Sequence, residues 1–206
     1  WMPNPLSMLE ITDNSNQQEL IANTFLEFRP IPSLRFRATA GYNRGIAQRG
    51  RYWPKTNVTG ALANGRAFRS ESNKNDFLAE LIGNFSKTFG KHSLTALGGY
   101  SYQRFIYDSW VNQNTNYLTD AFLYHAMGAA ADVTTVSTGK SENLIVSYFG
   151  RLNYVFAEKY LLTATIRHDG STRFAENHKW GTFPSIALGW NMHEESFFEP
   201  FLGVIN

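Results

Sequence analysis

Two long segments joined by only three residues constrain this chain more than any other feature. In Asn143–Phe156, NLIVSYFGRLNYVF, the even positions Leu144, Val146, Tyr148, Leu152, Tyr154 and Phe156 are apolar, opposite Asn143, Ser147, Arg151 and Asn153. After Ala157-Glu158-Lys159 the alternation resumes, with Tyr160, Leu162, Ala164 and Ile166 set against Thr163, Thr165, Arg167 and Asp169. A period of two is that of a β-strand, whose successive side chains project to opposite faces, and so short a connection makes a hairpin. Ile145, Phe149 and Val155 are exceptions on the polar side.

The pattern recurs in pairs. NTFLEFR and LRFRATAGYN flank PIPS, with Leu26, Phe28, Leu34, Phe36, Ala38 and Tyr42 on one side and Glu27, Arg29, Arg35, Arg37 and Asn43 on the other. Pro30 and Pro32 suit a turn and would not suit a central strand. FLAELIGNFSKTF and SLTALGGYSYQ flank GKH, although Leu78 and Ile82 fall on the polar side. A seventh segment, WGTFPSIALGW, carries Trp180, Ile186, Leu188 and Trp190 on one face. Between the hairpins lie Arg44–Asn75 and Arg104–Glu142, expected as long irregular loops, and a shorter connection from Gly170 to Lys179. Short and long connections therefore alternate. Loops beyond ~12–15 residues are uncommon in compact domains, which marks the two long ones as functional or partly ordered.

The stretch IRHDGSTRF gathers a histidine, an aspartate, a serine and two arginines in nine residues. Strand geometry sends His168 to the apolar face and Asp169 to the polar one, so the base and the group that would orient it point apart. Asp169-Gly170-Ser171 is expected to end the strand in a turn, because Asp bonds its own backbone and Gly accepts positive φ. No enzyme is expected. The five histidines, at 92, 125, 168, 178 and 193, show no metal-ligand spacing, and neither a metal nor a cofactor is expected.

A formal charge of +2 over 206 residues is too slight to suggest nucleic acid. With no cysteine, disulfides and thiolate chemistry are excluded. No apolar run reaches the ~20 residues of a membrane helix. Most of the alternating segments, however, run 10–14 residues, beyond the ~5–6 of soluble strands and enough for a tilted strand to cross a bilayer in ~9–11. Because lipid offers no hydrogen bonds, strands span it only as a closed cylinder, apolar outside and polar within. Tyr148, Tyr154, Phe156 and Tyr160 beside one turn, with Trp180 and Trp190 bracketing the last segment, resemble an interfacial aromatic girdle. The rival is a soluble all-β glycan-binding or adhesion module with those rings in its core. The mean hydropathy of −0.33 does not decide between them, since a wide barrel has a wet lumen and polar loops. The fold expected is all-β, an antiparallel transmembrane barrel segment of about seven strands. Bacterial single-chain barrels normally have an even number, so residues 1–206 are expected to be part of a larger barrel domain.

YFGRLNY, KYLLTATIRHDGSTRF and WGTFPSIALGW, in that order and spacing, resemble the barrel of the SusC/RagA family of TonB-dependent outer-membrane transporters of Bacteroidetes. The likeness is strong over about Ser147–Phe198 and weaker before it, where NPLSML and RPIPSLRFRATAGYN resemble earlier barrel segments. It implies a parent barrel of about 22 strands with a plugged lumen, whose plug, TonB-contacting segment and closing C-terminal strand are not in this stretch. It also implies a multi-pass protein of the outer membrane that imports an oligosaccharide or peptide beneath a SusD-like surface lipoprotein, driven by the TonB–ExbB–ExbD complex.

On that reading, Asn43, Arg167 and Asp169 are candidates to hydrogen-bond cargo or plug, the plain alternative being that they wet the lumen and pair with one another. Tyr52, Trp53, Tyr107 and Trp110, in the two long loops, are candidates to stack on sugar rings or meet the lid, against ordinary packing within the loop. Arg44, Arg49, Arg51, Lys55, Arg66, Arg69 and Lys74 face only Glu71 within their loop, a bias suited to lipopolysaccharide phosphates or acidic cargo. NVT and NFS match a glycosylation pattern, but Asn84 sits in an expected strand.

Overall fold

The computed structural model describes residues 5–201; Asn4 of NPLSML and the closing LGVIN lie outside them. Each alternating segment lies within a strand, and nearly every strand outruns its alternation. The strands are β1 (Thr12–Ile31), β2 (Leu34–Trp53), β3 (Arg66–Phe89), β4 (His92–Tyr117), β5 (Ala130–Phe156), β6 (Tyr160–Ser171) and β7 (Trp180–Trp190), with a five-residue helix α1 (Val58–Leu62) between β2 and β3. They hydrogen-bond in chain order, β1 to β7, as one sheet whose edges are β1 and β7. Among the described residues no helix is long and apolar enough to cross a membrane.

The expected long loops are thus corrected. Arg44–Trp53 continues β2, Arg66–Asn75 opens β3, Phe105–Tyr117 continues β4 and Ala130–Glu142 opens β5, leaving true connections at 54–65, 118–129 and 172–179. These portions carry polar residues on both faces. A strand needs neighbours to satisfy its backbone, but it alternates in hydrophobicity only where one face meets an apolar medium, so periodicity alone misses it. Likewise Asp169-Gly170-Ser171 is strand and not turn, since Asp169, Gly170 and Ser171 pair with Ser147, Val146 and Ile145. Pro30 also lies within a strand, at the penultimate position of β1 beside the turn.

The tight turns fall where expected. Between β5 and β6, Lys159 N–H donates to Phe156 O at 3.0 Å across Ala157 and Glu158, both left-handed at φ 53° and 62°. Two such residues give the left-handed turn conformation whose twist suits a β-hairpin, despite the absence of glycine. Gly90, at φ 60°, turns β3 into β4.

Register assigns the faces of β5–β7. Leu152, Ala164 and Ile186 align across the three strands, as do Tyr154, Leu162 and Leu188. On the reverse face, Arg151, Thr165 and Ser185 align, as do Asn153, Thr163 and Ala187. The first face is apolar and uncovered by protein, with Ile186 74% and Leu188 81% exposed. Aromatic rows bound it. At one end Phe156, Tyr160 and Trp190 align, and His92 closes on Phe156 at 4.9 Å. At the other, Tyr148 pairs with His168, on whose ring Trp180 stacks at 4.8 Å and 8°. Trp180 pairs with Gly170 and Trp190 with Tyr160, a separation of about 34 Å along the strand and about 25 Å at a ~40° tilt, which matches the apolar band of an outer-membrane barrel.

The chain divides into two compact units. One comprises residues up to Ile21, Tyr42–Asp76 and Phe105–Glu142; the other comprises Ala22–Gly41, Phe77–Arg104 and the chain from Asn143. The second contains the two-faced strands just described. The first holds a small core of Tyr52, Ala67, Tyr117 and Tyr124, packed by Leu123, Met127 and Ala130.

Candidate functional site

In the first unit the upper part of β2 sets Arg49, Arg51 and Trp53 on one face, two residues apart, beside Asp13 of β1. Arg49 donates to both Asp13 oxygens, Nε to Oδ1 at 2.8 Å and Nη2 to Oδ2 at 2.7 Å. Arg51 donates from Nε to the same Oδ2 at 2.7 Å and from Nη2 in a closer contact. Hydrogen bonds from Arg49 and then Arg51 hold the Asp13 carboxyl well below the usual carboxylate range. Arg51 Cζ also lies 5.1 Å from the Trp53 ring centroid, and Arg66 Cζ 5.9 Å from it.

Tyr52, one step along β2, turns to the other side and has no exposed surface. Its hydroxyl donates to Asp120 Oδ1 at 2.7 Å, and Tyr117 meets its ring edge-on at 5.6 Å. Lys55 N–H occupies the second Asp120 oxygen at 3.1 Å. Burial, and next the Asp120 carboxylate, push the Tyr52 phenol above its ordinary range. Tyr52 is therefore corrected: no ring face remains for a sugar or a lid, because the connection 118–129 has folded onto it.

The other candidates separate by position. Tyr107 and Trp110 stand three residues apart on β4 and so project from opposite faces. Tyr107, 46% exposed, lines a groove of about 500 Å³ with Gln17, Glu19, Gly45, Ser72 and Lys74. Trp110 is half-buried and lies outside that groove. Asn43 shares its face of β2 with Gly45, and its Oδ1 is buried without a hydrogen-bond partner. Trp53 is half-buried beside Arg51 and Arg66.

In the second unit Arg167 and Asp169 do meet. Arg167 Nε donates to Asp169 Oδ2 at 2.7 Å, and its Nη2 donates to Ser147 Oγ at 3.0 Å. Arg167 Cζ lies 5.7 Å from the Phe149 ring. His168 leaves by the opposite face, where its Nδ1 contacts Thr182 Oγ1 at 2.8 Å. Histidine and aspartate are separated by the sheet, as strand geometry requires. Among the described residues no three His, Asp or Glu side chains converge as a metal site.

Residues 4–202 match the model of the TonB dependent receptor-like β-barrel family. The chain belongs to that family. It is a seven-strand stretch of an outer-membrane β-barrel, with the apolar face toward lipid and the reverse face toward the lumen. TonB-dependent receptor P3 of Formosa agariphila is 34% identical over 197 residues, covering 95% of this chain and 20% of that protein. TonB-dependent receptor SusC of Bacteroides thetaiotaomicron is 29% identical over 206 residues, covering 95% of this chain and 19% of that one. The chain spans about a fifth of the length of these relatives. In fold it superposes on the RagAB peptide transporter structure with a TM-score of 0.85 at 19% identity, over 95% of this chain and 22% of that one. The SusC/RagA resemblance seen in the sequence thus agrees with both sequence and fold relatives.

Two contributing residues carry no warning in the sequence as partners. Asp13 and Asp120 lie 36 and 68 residues from the arginine and tyrosine they serve, and nothing local announces such a pairing. Asn57, legible only as part of NVT, caps α1: its Oδ1 accepts from Thr59 N–H at 2.9 Å and its Nδ2 donates to Ser7 O at 3.0 Å. Asn before a short helical run is a cap signal legible in the sequence.

Proposed function

We propose that the chain is part of the wall and outer rim of an active importer, residues 1–206 being one part of its barrel domain. The parent protein takes an oligosaccharide or peptide from beneath a SusD-like surface lipoprotein. It releases that cargo inward when the TonB–ExbB–ExbD complex acts on a plug inside the lumen. The chain itself is not an enzyme. The observation that carries this reading is the two-faced β5–β7 sheet, whose aromatic rows stand one membrane thickness apart on a chain that matches the TonB-dependent family. A soluble module would have to cover Ile186 and Leu188 with protein, whereas lipid and lipopolysaccharide cover them here without further structure.

Within the wall, Asn43, Trp53 and Tyr107 are the groups proposed to meet cargo, and Arg167 with Asp169 to meet cargo or plug. Trp110, on the other side of β4 from Tyr107, is proposed to meet the lid. Uptake of labelled cargo into cells with and without a working TonB system tests the reading. Uptake is expected to collapse without TonB; equal uptake in both strains defeats the importer.

A further inference from the structure

Beside Asp13 the positive charge exceeds what its one partner neutralises. Asp13 stands against both Arg49 and Arg51, and its two oxygens are taken up between them. A guanidinium has five N–H donors and a carboxylate about four acceptor sites, so one carboxylate cannot satisfy two arginines. Arg66 Nε is buried with no acceptor, and Arg51 and Arg66 both lie near the Trp53 ring. Further along the same face, Lys74 is already paired with Asp76 at 2.8 Å, and Glu19 lies beside it in the Tyr107 groove. On this face the unbalanced charge is therefore concentrated in the Arg49–Arg51–Trp53–Arg66 corner.

Alternation decides what that corner addresses. Arg44 shares parity with Tyr42 and Phe36, on the lipid side of β2, whereas Arg49 and Arg51 share parity with Gly45 and open to the lumen. Lipopolysaccharide is thus a candidate for Arg44 and not for this corner. Guanidinium forks bind sulfate and carboxylate oxygens bidentately, and a tryptophan beside them offers a flat surface to a pyranose ring. We propose that this corner is a subsite for an anionic oligosaccharide, the three arginines taking its sulfate or carboxylate groups and Trp53 its ring. The subsite rests on the importer reading.

The test uses the purified full-length transporter and calorimetric titration with a sulfated oligosaccharide, its desulfated counterpart and an acidic peptide of similar length. The sulfated sugar is expected to bind more tightly than the other two, and less tightly as salt rises. Arg51→Gln is expected to weaken sulfated binding by about tenfold or more, the worth of a charged hydrogen bond, with desulfated binding unchanged. Asp13→Asn, which frees both arginines, is expected to strengthen it. Equal affinity for the two sugars, or a sulfate preference untouched by Arg51→Gln, overturns the subsite. Preference for the acidic peptide overturns the carbohydrate assignment. Should Arg51→Gln fail to assemble, Asp13→Asn decides, and unchanged sulfated binding there counts against the proposal. TonB-dependent uptake of the desulfated sugar by wild-type cells separates the two ideas. If that persists while the sulfate results fail, only the subsite falls; if no probe is taken up in a TonB-dependent way, the importer falls instead.

Discussion

The tyrosines of the rim and the aromatic rings of β5–β7 are the same chemistry under opposite conditions. Tyr52, Tyr117 and Tyr124 are buried, and the hydroxyls of Tyr52 and Tyr124 are engaged by Asp120 and Asn14. Tyr148, Tyr160, Trp180 and Trp190 are about half exposed, with their rings ranged along a face that no protein covers. The first group makes a small core because its surroundings are water, and only another part of the chain can dry it. The second needs no core, because its solvent is the bilayer and its polar tips belong at the headgroups. Burial within the chain therefore measures what medium surrounds each region, and not how important its residues are.

Truncating the rim core is expected to have the largest effect. Tyr52→Ala removes a fully buried ring and should loosen the rim by about 3–5 kcal/mol, whereas Tyr52→Phe should lose about 1.5–3 kcal/mol, the value of its bond to a charged acceptor. Limited proteolysis within 118–129 measures both; if cleavage is unchanged in Tyr52→Ala, the contrast between the two groups of rings is broken. Next comes charge on the lipid face. Ile186→Arg, midway between the aromatic rows, is expected to cost about 2–4 kcal/mol and to lower the amount of folded barrel in outer membranes, while Ser185→Arg next to it is tolerated. Equal losses at both positions would mean that the two faces are not differently solvated. The smallest change sharpens the comparison at the girdle itself. A Cβ on Gly170 would stand 2.8 Å from the Trp180 ring, so Gly170→Ala should tilt that ring and cost about 1 kcal/mol, the low end for an added methyl group, read as a shift in the urea midpoint of the folded barrel.

How much was legible follows the same division. Where one face meets lipid, a single residue of slippage would turn every apolar side chain into the lumen, so the pattern in Leu144–Phe156 and Tyr160–Ile166 carries strand, register and turn together. His168 and Asp169 are separable by parity alone. Where both faces are wet, as in Ala130–Glu142, selection for alternation lapses, and the strand reads as a loop. The candidate residues fared accordingly. Arg167 and Asp169, inside the patterned region, meet as parity allows, while Tyr52, in the unpatterned rim, proved to be core.

From its residues alone, this chain determines that it is all-β, which side of each patterned strand is greasy, where three of the tight turns fall and which family it resembles. Those properties are local, set by a two-residue period and by turns of two or three residues. Only the tertiary structure decided that the strands continue past their alternating segments, that Asp120 takes the Tyr52 hydroxyl out of reach, and that one aspartate holds two arginines. Such pairings join residues 36 to 68 positions apart, and no short-range pattern can encode them, because the chain that brings them together must first be folded.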